Sequence, residues 1–595
     1  MKHFFSLMRN WPVAGLLVIL LWLAGPAARA QAPTWQTLVT AGLTGTTPNG
    51  YSYVEATTTD AAGNLYLVGN FDGDITLGGI TLSGGGNRQI GIFVAKWNRS
   101  SNSFAWVQST TGGASDSNLN RPTAVAVQGT SVYIAGFFRS SSFAFGSTTL
   151  TNSSGTSNTS DVFVAKLTDT GSSASFVWAL KAGGTGTDEA AALAVSGSNV
   201  YLAGSFASAQ ANFGSISLAN AGAPTANGFV AKLTDAGPSA SVVWAQSVGG
   251  TGFDAVNALA ISGSGVIVAG SFASATVAFG AISLANALPG SGDVFVAKLL
   301  DDGPASSFTW AQRAGGTGND YCSALAISGP NIYLTGGFSG STATFGTSTL
   351  ANAGSSNFTV DVFVAKLADA GTSSSFGWAV PAGGAGNEWP TAVAVTGPHV
   401  YVAGSFGHPT ASFGTTVLTN TGPNPGDDIF VAKLTDTGSG ASYAWARQAG
   451  GPGGEGATGV VVNGNRVYVA GGVSPMAFFG SLTTPLPANN AMAFLASLTD
   501  PTLLATTAAL RGSAFTLAPN PARSATTVTL PALPGTASAT LTLRDALGRA
   551  VRTATVALPP AGLRHEVDLT NLPAGIYALQ VQAGAATATR RLVVE

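Results

Sequence analysis

Residues 183–206 read GGTGTDEAAALAVSGSNVYLAGSF. A glycine-rich turn with an acid is followed by two short apolar runs that a polar turn separates. Two further runs complete the unit: GFVAKLTD, which begins at Gly228, and SVVWAQS, which begins at Ser241. Runs of four to eight residues rich in Val, Tyr, Phe and Trp and bounded by Gly, Ser, Asn or Asp are typical of β-strands. We name the four predicted strands A, B, C and D.

The unit recurs along the chain at intervals of 66 to 72 residues. Each D strand carries a tryptophan: Trp35, Trp106, Trp178, Trp244, Trp310, Trp378 and Trp445. Within each B strand a glycine follows a tyrosine or isoleucine by three positions, as Gly204 follows Tyr201. Four antiparallel strands repeated radially form the blades of a β-propeller. The tryptophans are predicted to pack between adjacent sheets, and the glycine to allow a close backbone approach or to relieve a bulge.

The strand count predicts how the array closes. The repeat begins with a lone D strand, around Trp35, and ends with A, B and C strands that no D strand follows. The N-terminal strand should therefore complete the last blade, which removes an exposed sheet edge. We predict an all-β fold: a seven-bladed β-propeller of four-stranded blades over residues 31–500, with the N-terminal strand closing the last blade.

A lysine recurs in six of the C strands, and a serine takes its place in the seventh. The positions are Lys96, Lys166, Lys232, Lys298, Lys366, Lys433 and Ser497. Because lysine is seldom fully buried, we interpret these side chains as solvated or as lying at the blade edges.

The composition excludes several classes of function. The chain has 25 basic and 27 acidic residues, a formal charge of −2, so no strong field attracts nucleic acid, and no nucleic-acid partner is expected. Cys322 is the single cysteine, which excludes an intrachain disulfide and a zinc-finger type of site.

The first thirty residues have the pattern of a secretory signal peptide. Lys2 and Arg9 precede an apolar run over residues 13–23, and small residues at Ala28 and Ala30 suit a cleavage site before Gln31. The alternative is an uncleaved anchor helix, although the apolar run is shorter than the roughly 20 residues that span a bilayer. No transmembrane segment is predicted in the mature chain.

The repeat resembles the SBBP class of β-propeller repeat over residues 31–500. The resemblance rests on GGTGTDEAAALAVSGSNVYLAGSF and its six relatives. It implies an extracellular or cell-surface protein, and it transfers no catalytic residue.

The chain after residue 512 resembles the C-terminal sorting domain of type IX secretion. The blocks that carry the resemblance are FTLAPNPA from Phe515, LRDALGRAVR from Leu543, VDLTNLPAGIYALQVQ from Val567 and the ending RRLVVE. The resemblance implies a small Ig-like β-sandwich over residues 513–595, joined by a linker over residues 501–512. It also implies recognition by the type IX secretion machinery and a secreted or cell-surface location in a Gram-negative bacterium, reached through the periplasm and outer membrane. An ordinary Ig-like adhesive domain is the alternative.

The B–C and D–A connections of an antiparallel blade share one face, and both are distinctive here. The B–C connections carry a Phe-Gly motif that predicts an extra hairpin, and these hairpins would build a rim for a glycan or protein ligand. The D–A connections carry an acid: Asp116, Asp188, Asp254, Asp320, Glu388 and Glu455. A ring of these carboxylates could bind Ca²⁺ or sugar hydroxyls; alternatively, each acid caps its own turn by accepting backbone N–H bonds.

Two units depart from the repeat on this face. The first lacks the acid and has Asn49, Tyr51 and Tyr53, while the sixth has Trp389 beside Glu388. These residues are candidates for a sugar-stacking edge.

Three functions remain open from the sequence. The leading hypothesis is a non-catalytic binding or adhesion module for a glycan or protein. The alternatives are a polysaccharide-acting hydrolase or lyase with a site in the propeller channel, and a structural component of the cell envelope. The histidines of the mature chain, His399, His408 and His565, have no repeated Ser or Asp partner, so no catalytic residue is assigned. No cofactor is evident and no metal ligand is assigned, although the acids leave Ca²⁺ possible.

Overall fold

The computed structural model describes most of the chain. It covers residues 33–43, 50–84, 90–110, 120–155, 158–220, 222–354, 359–407, 409–420, 426–484, 490–503, 508–509, 515–530, 538–545, 549–559, 562–583 and 586–595. The predicted signal peptide, Asn49, Asp116 and His408 lie outside these residues. The chain divides into two compact parts, one that ends at Asp500 and one that begins at Pro501. In the part of the chain that the structure describes, no helix is long and apolar enough to cross a membrane.

The part before Pro501 consists of seven units of four antiparallel strands in the order A-B-C-D. The A strands are Tyr51–Thr59, Arg121–Gln128, Asp188–Ser196, Asp254–Ser262, Tyr321–Ser328, Glu388–Thr396 and Gly456–Asn463. The B strands are Leu65–Asp72, Ser131–Phe138, Asn199–Phe206, Gly265–Phe272, Asn331–Phe338, His399–Phe406 and Arg466–Val473. The C strands are Gly91–Asn98, Asp161–Asp169, Asn227–Asp235, Asp293–Asp301, Asp361–Asp369, Asp428–Asp436 and Met492–Thr499. The D strands are Ser103–Ser109, Ala174–Ala182, Ala240–Val248, Ser306–Gly316, Ser374–Gly384, Ala441–Ala449 and, for unit 7, Trp35–Thr40. The predicted all-β class and the four-stranded antiparallel sheets are confirmed.

The N-terminal strand pairs with the C strand of unit 7. Val39 lies opposite Leu495 and Thr40 opposite Phe494 in an antiparallel ladder. The D strand of the last sheet is thus supplied by the start of the chain, as predicted.

The glycine of each B strand marks a bulge in the neighbouring A strand. In unit 3 the register shifts between Ala190 and Ala192, beside Gly204. A Cβ atom on Gly204 would lie 2.1 Å from the carbonyl oxygen of Glu189. The equivalent glycine meets an A-strand carbonyl in every unit, so the predicted close approach and bulge are both confirmed.

Adjacent units share their hydrophobic cores. Trp244 of unit 3 is buried in one cluster with Tyr201 of its own unit and with Val268 and Phe272 of unit 4. Each such tryptophan contributes about 2–3 kcal/mol by area, and the predicted packing between sheets is confirmed. The A strand of each unit contacts those of both neighbouring units, and the A strand of unit 7 contacts that of unit 1.

Every B–C connection contains the predicted hairpin. The hairpin strands are Ile75–Leu77 with Ile80–Leu82, Ser142–Phe145 with Thr148–Thr151, Gln210–Phe213 with Ile216–Ala219, Thr276–Phe279 with Ile282–Ala285, Thr342–Phe345 with Ser348–Ala351, Thr410–Phe413 with Thr416–Thr419, and Phe478–Phe479 with Leu482–Thr483. The phenylalanine of the motif is buried; the ring of Phe213 lies 4.8 Å from that of Phe229. The hairpin also pairs with the end of the preceding D strand, as Asn212 does with Gly183. The hairpins therefore join neighbouring units as well as extending the face.

The part after Asp500 contains two sheets on one core. Five strands form the first: Ala508–Ala509, Ala586–Val594, Gly575–Ala583, Ser538–Arg544 and Ala550–Ala557. Three strands form the second: Thr516–Ala518, Ala525–Leu530 and Leu563–Asp568. Phe515, Leu541 and Leu579 belong to the shared hydrophobic core. A 3-10 turn at Pro501–Leu503 begins this part.

Candidate functional site

The acids of the D–A connections lie at the junctions between units. Each of the five described acids is the first residue of an A strand or directly precedes it, and each is buried: Asp188, Asp254, Asp320, Glu388 and Glu455. Their backbone N–H groups donate across the junction, as Asp254 does to the carbonyl of Ala226 at 2.8 Å. Backbone hydrogen bonds as well as side-chain contacts therefore stabilise the junction.

The carboxylates of these acids hold their own glycine-rich turns. Asp188 accepts hydrogen bonds from the N–H of Gly184 at 2.7 Å, the hydroxyl of Ser208 at 2.7 Å and the N–H of Ser208 at 3.2 Å. Asp254 makes the same contacts in the next unit. Burial raises the pKa of both carboxyl groups, and it raises that of Asp320 to about 7. These contacts are those of a turn cap.

Units 1 and 2 hold neutral residues at the same position. Ser52 pairs with Phe71 as Asp188 pairs with Phe206. In unit 2 the equivalent residue is Asn120, whose side-chain oxygen accepts from the N–H of Ser140 at 3.3 Å. The sequence predicts Asp116 for this place, four residues earlier, because that acid and its glycines follow the repeat while the connection is longer.

A second acid, missed from the sequence, faces most of these caps. It is the first residue of the C strand in the preceding unit. A Cβ atom on Gly183 would lie 2.6 Å from Oδ1 of Asp161 and 2.7 Å from Oδ2 of Asp188, so both carboxylates converge on one point. The five facing pairs are Asp161 with Asp188, Asn227 with Asp254, Asp293 with Asp320, Asp361 with Glu388, and Asp428 with Glu455. The sequence contained a sign of this second acid, because an aspartate repeatedly begins strand C, as in DVFVAKL.

The strand-C lysines form buried ion pairs with the next unit, so their interpretation as solvated or edge residues is wrong. Lys232 Nζ lies 2.7 Å from Oδ2 of Asp301, with the side chains 5% and 7% exposed. Asp301 also accepts from the hydroxyl of Tyr201 at 2.5 Å and from the indole N–H of Trp244 at 3.2 Å. Burial alone would raise the pKa of Asp301, but these hydrogen bonds, led by that of Lys232, hold it below the ordinary value. The described pairs are Lys96–Asp169, Lys166–Asp235, Lys232–Asp301, Lys298–Asp369, Lys366–Asp436 and Lys433–Asp500.

Between units 7 and 1 the described residues form no such pair. Ser497 replaces the lysine, and Arg99 stands three residues after Lys96, where the other units have the aspartate. Ser497 is instead bonded within its own unit, where its hydroxyl and that of Thr37 are hydrogen-bonded at 2.7 Å. Across the junction, Thr458 and Asn463 donate to the carbonyls of Val54 and Gly63, at 2.7 Å each.

The aromatic candidates share one register position near the start of the A strands. Trp389 lies opposite Ser405, and Tyr53 lies opposite Asn70, the equivalent residue of unit 1. Trp389 is half-buried and Tyr53 is 37% exposed. The rings of Tyr53 and Tyr51 are 5.8 Å apart.

The exposed large apolar side chains of this part lie at one end of the strands. Among the described residues before Pro501 they are Tyr53, Phe253, Leu288, Val417, Met476 and Phe478. All of them lie in B–C or D–A connections, or within three residues of an A-strand start. In unit 4 the two connections are adjacent, because Ala273 donates to the carbonyl of Phe253 and accepts from the N–H of Gly290.

Comparison with known proteins identifies the C-terminal part. Residues 516–595 match the family described as the secretion system C-terminal sorting domain. This part is a type IX sorting domain. It makes the protein a secreted or cell-surface protein of a Gram-negative bacterium, exported through the type IX machinery that the domain engages. No curated protein matches the chain.

Proposed function

We propose that the part before Pro501 is a seven-bladed β-propeller of the SBBP repeat type that binds an extracellular glycan or protein. The cyclic order of contacts between A strands, from unit 1 through unit 7 and back, supports the closed propeller. The N-terminal strand in the last sheet supports closure by the two chain ends. The sorting domain supports a location outside the cell for such a module, and that location suits a binding or adhesion role.

One observation carries the binding role: among the described residues before Pro501, the exposed large apolar side chains all lie at the face of the B–C and D–A connections. Phe253 and Leu288 are 55% and 49% exposed on adjacent connections of unit 4. The described A–B and C–D turns at the opposite face carry no exposed large apolar side chain. Apolar side chains gathered on one face of a soluble protein are typical of an interaction surface.

The same face is chemically different in each unit. At the register position of Trp389 the seven units carry Tyr53, Arg121, Glu189, Ala255, Tyr321, Trp389 and Gly456. Because the backbone repeats while the side chain at this position differs from unit to unit, the face suits one ligand bound in one orientation. The aromatic members supply flat surfaces of the kind on which sugar rings and apolar side chains pack.

The test uses the purified mature chain on a glycan array and on intact Gram-negative cells. The variant Phe253→Ser/Leu288→Ser removes the apolar pair, and Pro304→Ser, in the exposed C–D turn of the same unit, is the matched control. We expect saturable binding by the parent and the control, and at least tenfold weaker binding by the double variant. Equal binding by all three proteins, or no saturable binding by the parent, would refute the proposal.

A further inference from the structure

A groove of about 460 Å³ lies between unit 6 and the N-terminal strand that completes unit 7. Its lining is mostly apolar and includes Pro33, Trp35, Val417 and Leu418. Arg447, from the D strand of unit 6, also lines it. The volume falls within the range of about 300–1,000 Å³ that is typical of ligand pockets. We call this cavity the unit 6–7 groove.

Arg447 makes one contact that the repeat explains. Its Nε–H group donates to the carbonyl of Pro33 at 2.7 Å. At the same register position, Gln246 and Gln312 donate to the carbonyl of the first residue of the next D strand, at 3.4 Å and 3.0 Å. A neutral amide is therefore enough to make this contact between units.

The guanidinium of Arg447 keeps a charge and further donors that this contact does not use. Its two terminal nitrogens donate to no described residue, and no described carboxylate forms an ion pair with it. Burial lowers the pKa of Arg447, but an arginine remains charged at neutral pH. A half-buried cation among apolar residues is costly unless an anion pairs with it. The groove therefore offers an unpaired positive charge.

Two grooves of the same construction have no unpaired cation among their described lining residues. Between units 2 and 3, and between units 5 and 6, Leu180 and Val380 occupy the register position of Arg447. The basic residue that lines the first of these grooves, Lys181, lies 3.5 Å from a carboxylate oxygen of Asp161. The unpaired charge thus distinguishes the unit 6–7 groove from its counterparts.

The hairpin beside the groove departs from the repeat a second time. Val417 is 58% exposed on the B–C hairpin of unit 6. The other six hairpins carry a hydroxyl residue at this position: Thr81, Thr149, Ser217, Ser283, Thr349 and Thr483. An exposed apolar side chain therefore stands at the same groove that holds the unpaired guanidinium.

These two features define the chemistry that fits the groove. A guanidinium binds a carboxylate through two parallel N–H···O bonds, and partial removal of water strengthens the pair. Val417 and Pro33 supply apolar surface for a side chain next to that carboxylate. Trp35 is only 8% exposed, so the groove offers little of the open aromatic face on which a sugar ring packs. The observations therefore favour an acidic peptide over a glycan.

We propose that the unit 6–7 groove binds an acidic peptide segment of an extracellular partner protein. An Asp or Glu carboxylate of the partner pairs with the terminal nitrogens of Arg447, and an apolar side chain next to it packs on Val417. This inference rests on the proposed function, because Val417 belongs to the exposed apolar face, and it assigns that function a protein partner at one place.

The test measures binding of the purified mature chain to arrayed short peptides that carry one Glu between apolar residues, and to matched peptides with Gln in its place. Arg447→Gln removes the charge but keeps an amide for the Pro33 carbonyl, so its melting temperature should equal that of the parent. We expect the parent to prefer the Glu peptides, Arg447→Gln to bind them at least about tenfold more weakly, and Val417→Thr also to bind them more weakly. Lys181→Gln, which changes the paired cation of the equivalent groove, is the matched control and should bind them like the parent.

The proposal is overturned if the parent binds Glu and Gln peptides equally, or if Arg447→Gln binds the Glu peptides as the parent does. It is also overturned if acidic oligosaccharides on the same array bind in a way that depends on Arg447 while the Glu peptides do not bind. If Arg447→Gln melts below the parent, Val417→Thr decides, because other units carry threonine at this position; unchanged peptide binding by that variant would then overturn the proposal.

A separate variant distinguishes failure of this groove from failure of the proposed function. Phe253→Ser/Leu288→Ser alters the exposed apolar pair of unit 4 and leaves the groove intact, so it should bind the Glu peptides like the parent. Cell binding that this variant loses and Arg447→Gln keeps would overturn the peptide groove and leave the proposed function standing.

Discussion

Replacement of Asp301 by alanine tests whether the buried ion pairs stabilise the junctions. The carboxylate of Asp301 is the shared acceptor for Lys232, Tyr201 and Trp244, all of the preceding unit, and for the N–H of Gly303. Asp301→Ala leaves the Lys232 ammonium buried without a counter-charge. Breaking such a pair from one side costs about 3–5 kcal/mol. The carbonyl of Gly303, 3.1 Å from Nζ, remains as an acceptor, so we expect the lower end of this range.

A double variant separates the charge from the packing. Lys232→Met/Asp301→Asn removes both charges and keeps an oxygen that Tyr201 and Trp244 can use as acceptor. Replacing a buried ion pair by neutral groups of similar size is close to neutral, so this variant should lose less than about 2 kcal/mol. The costs of the single substitutions Lys232→Met and Asp301→Asn should therefore add up to clearly more than the cost of the double variant.

Urea unfolding followed by tryptophan fluorescence is the assay. All 11 tryptophans precede residue 501, so the signal reports the repeat part and is blind to the sorting domain. The pH dependence has a definite sign: because the pKa of Asp301 is lowered on folding, its contribution is present above the unfolded value of about 4 and is lost as the pH falls through the folded value. A loss below about 1 kcal/mol for Asp301→Ala, or additive costs in the double variant, would refute the reasoning.

Two further predictions concern closure and backbone fit. A mature chain that lacks residues 31–41 should expose the edge of strand Met492–Thr499 and self-associate, as measured by light scattering; a monomer with an unchanged melting temperature would contradict this. Gly204→Ala should lower the free energy of unfolding, measured in urea, by about 1–3 kcal/mol, because the new Cβ atom would meet the Glu189 carbonyl. The control Gly454→Ala adds a Cβ that meets no atom within 4 Å, so its free energy of unfolding should stay within about 0.5 kcal/mol of the parent value.

Features that depend on local pattern were predictable from the sequence. The strands follow from short apolar runs and their turns, and the hairpins follow from Phe213 and its equivalents. Gly204 could be assigned to a bulge because glycine inside a strand has few other reasons to recur. Trp244 could be assigned to the core because a large aromatic residue repeated at one strand position has to be buried in the same place each time.

The environment of Lys232 could not be predicted in the same way. A lysine in a strand is usually solvated, and the carboxylate that reverses this lies 69 residues away, in the next unit. The recurrence of both residues was nevertheless visible. A charge kept in copy after copy is a sign of a contact between copies, and the aspartate three residues after each lysine was the available partner.

The acids show a second limit. Asp188 and Glu388 were predicted to mark one face, but their C-strand partners Asp161 and Asp361 were missed, because the antiparallel register brings the start of strand C beside the next A strand. The sequence predicts Asp116 rather than Asn120 because the repeat is followed by residue type, whereas the cap is defined by its place at the start of the A strand. Only the structure gives that register.

The junction between units 7 and 1 is built, among the described residues, without a buried lysine–aspartate pair. Units 1 to 7 follow one another along the chain, so each lysine and its aspartate are brought together by short connections, and the cost of desolvating them is met by fixed hydrogen bonds. Between units 7 and 1 both partners are changed, because Ser497 stands in place of the lysine and Arg99 in place of the aspartate. A lysine at position 497 would have no aspartate to pair with, whereas Ser497 is satisfied within its own sheet by the hydroxyl of Thr37. The loss of the lysine from this one C strand is therefore matched by the loss of its partner at the junction where the two ends of the repeat meet.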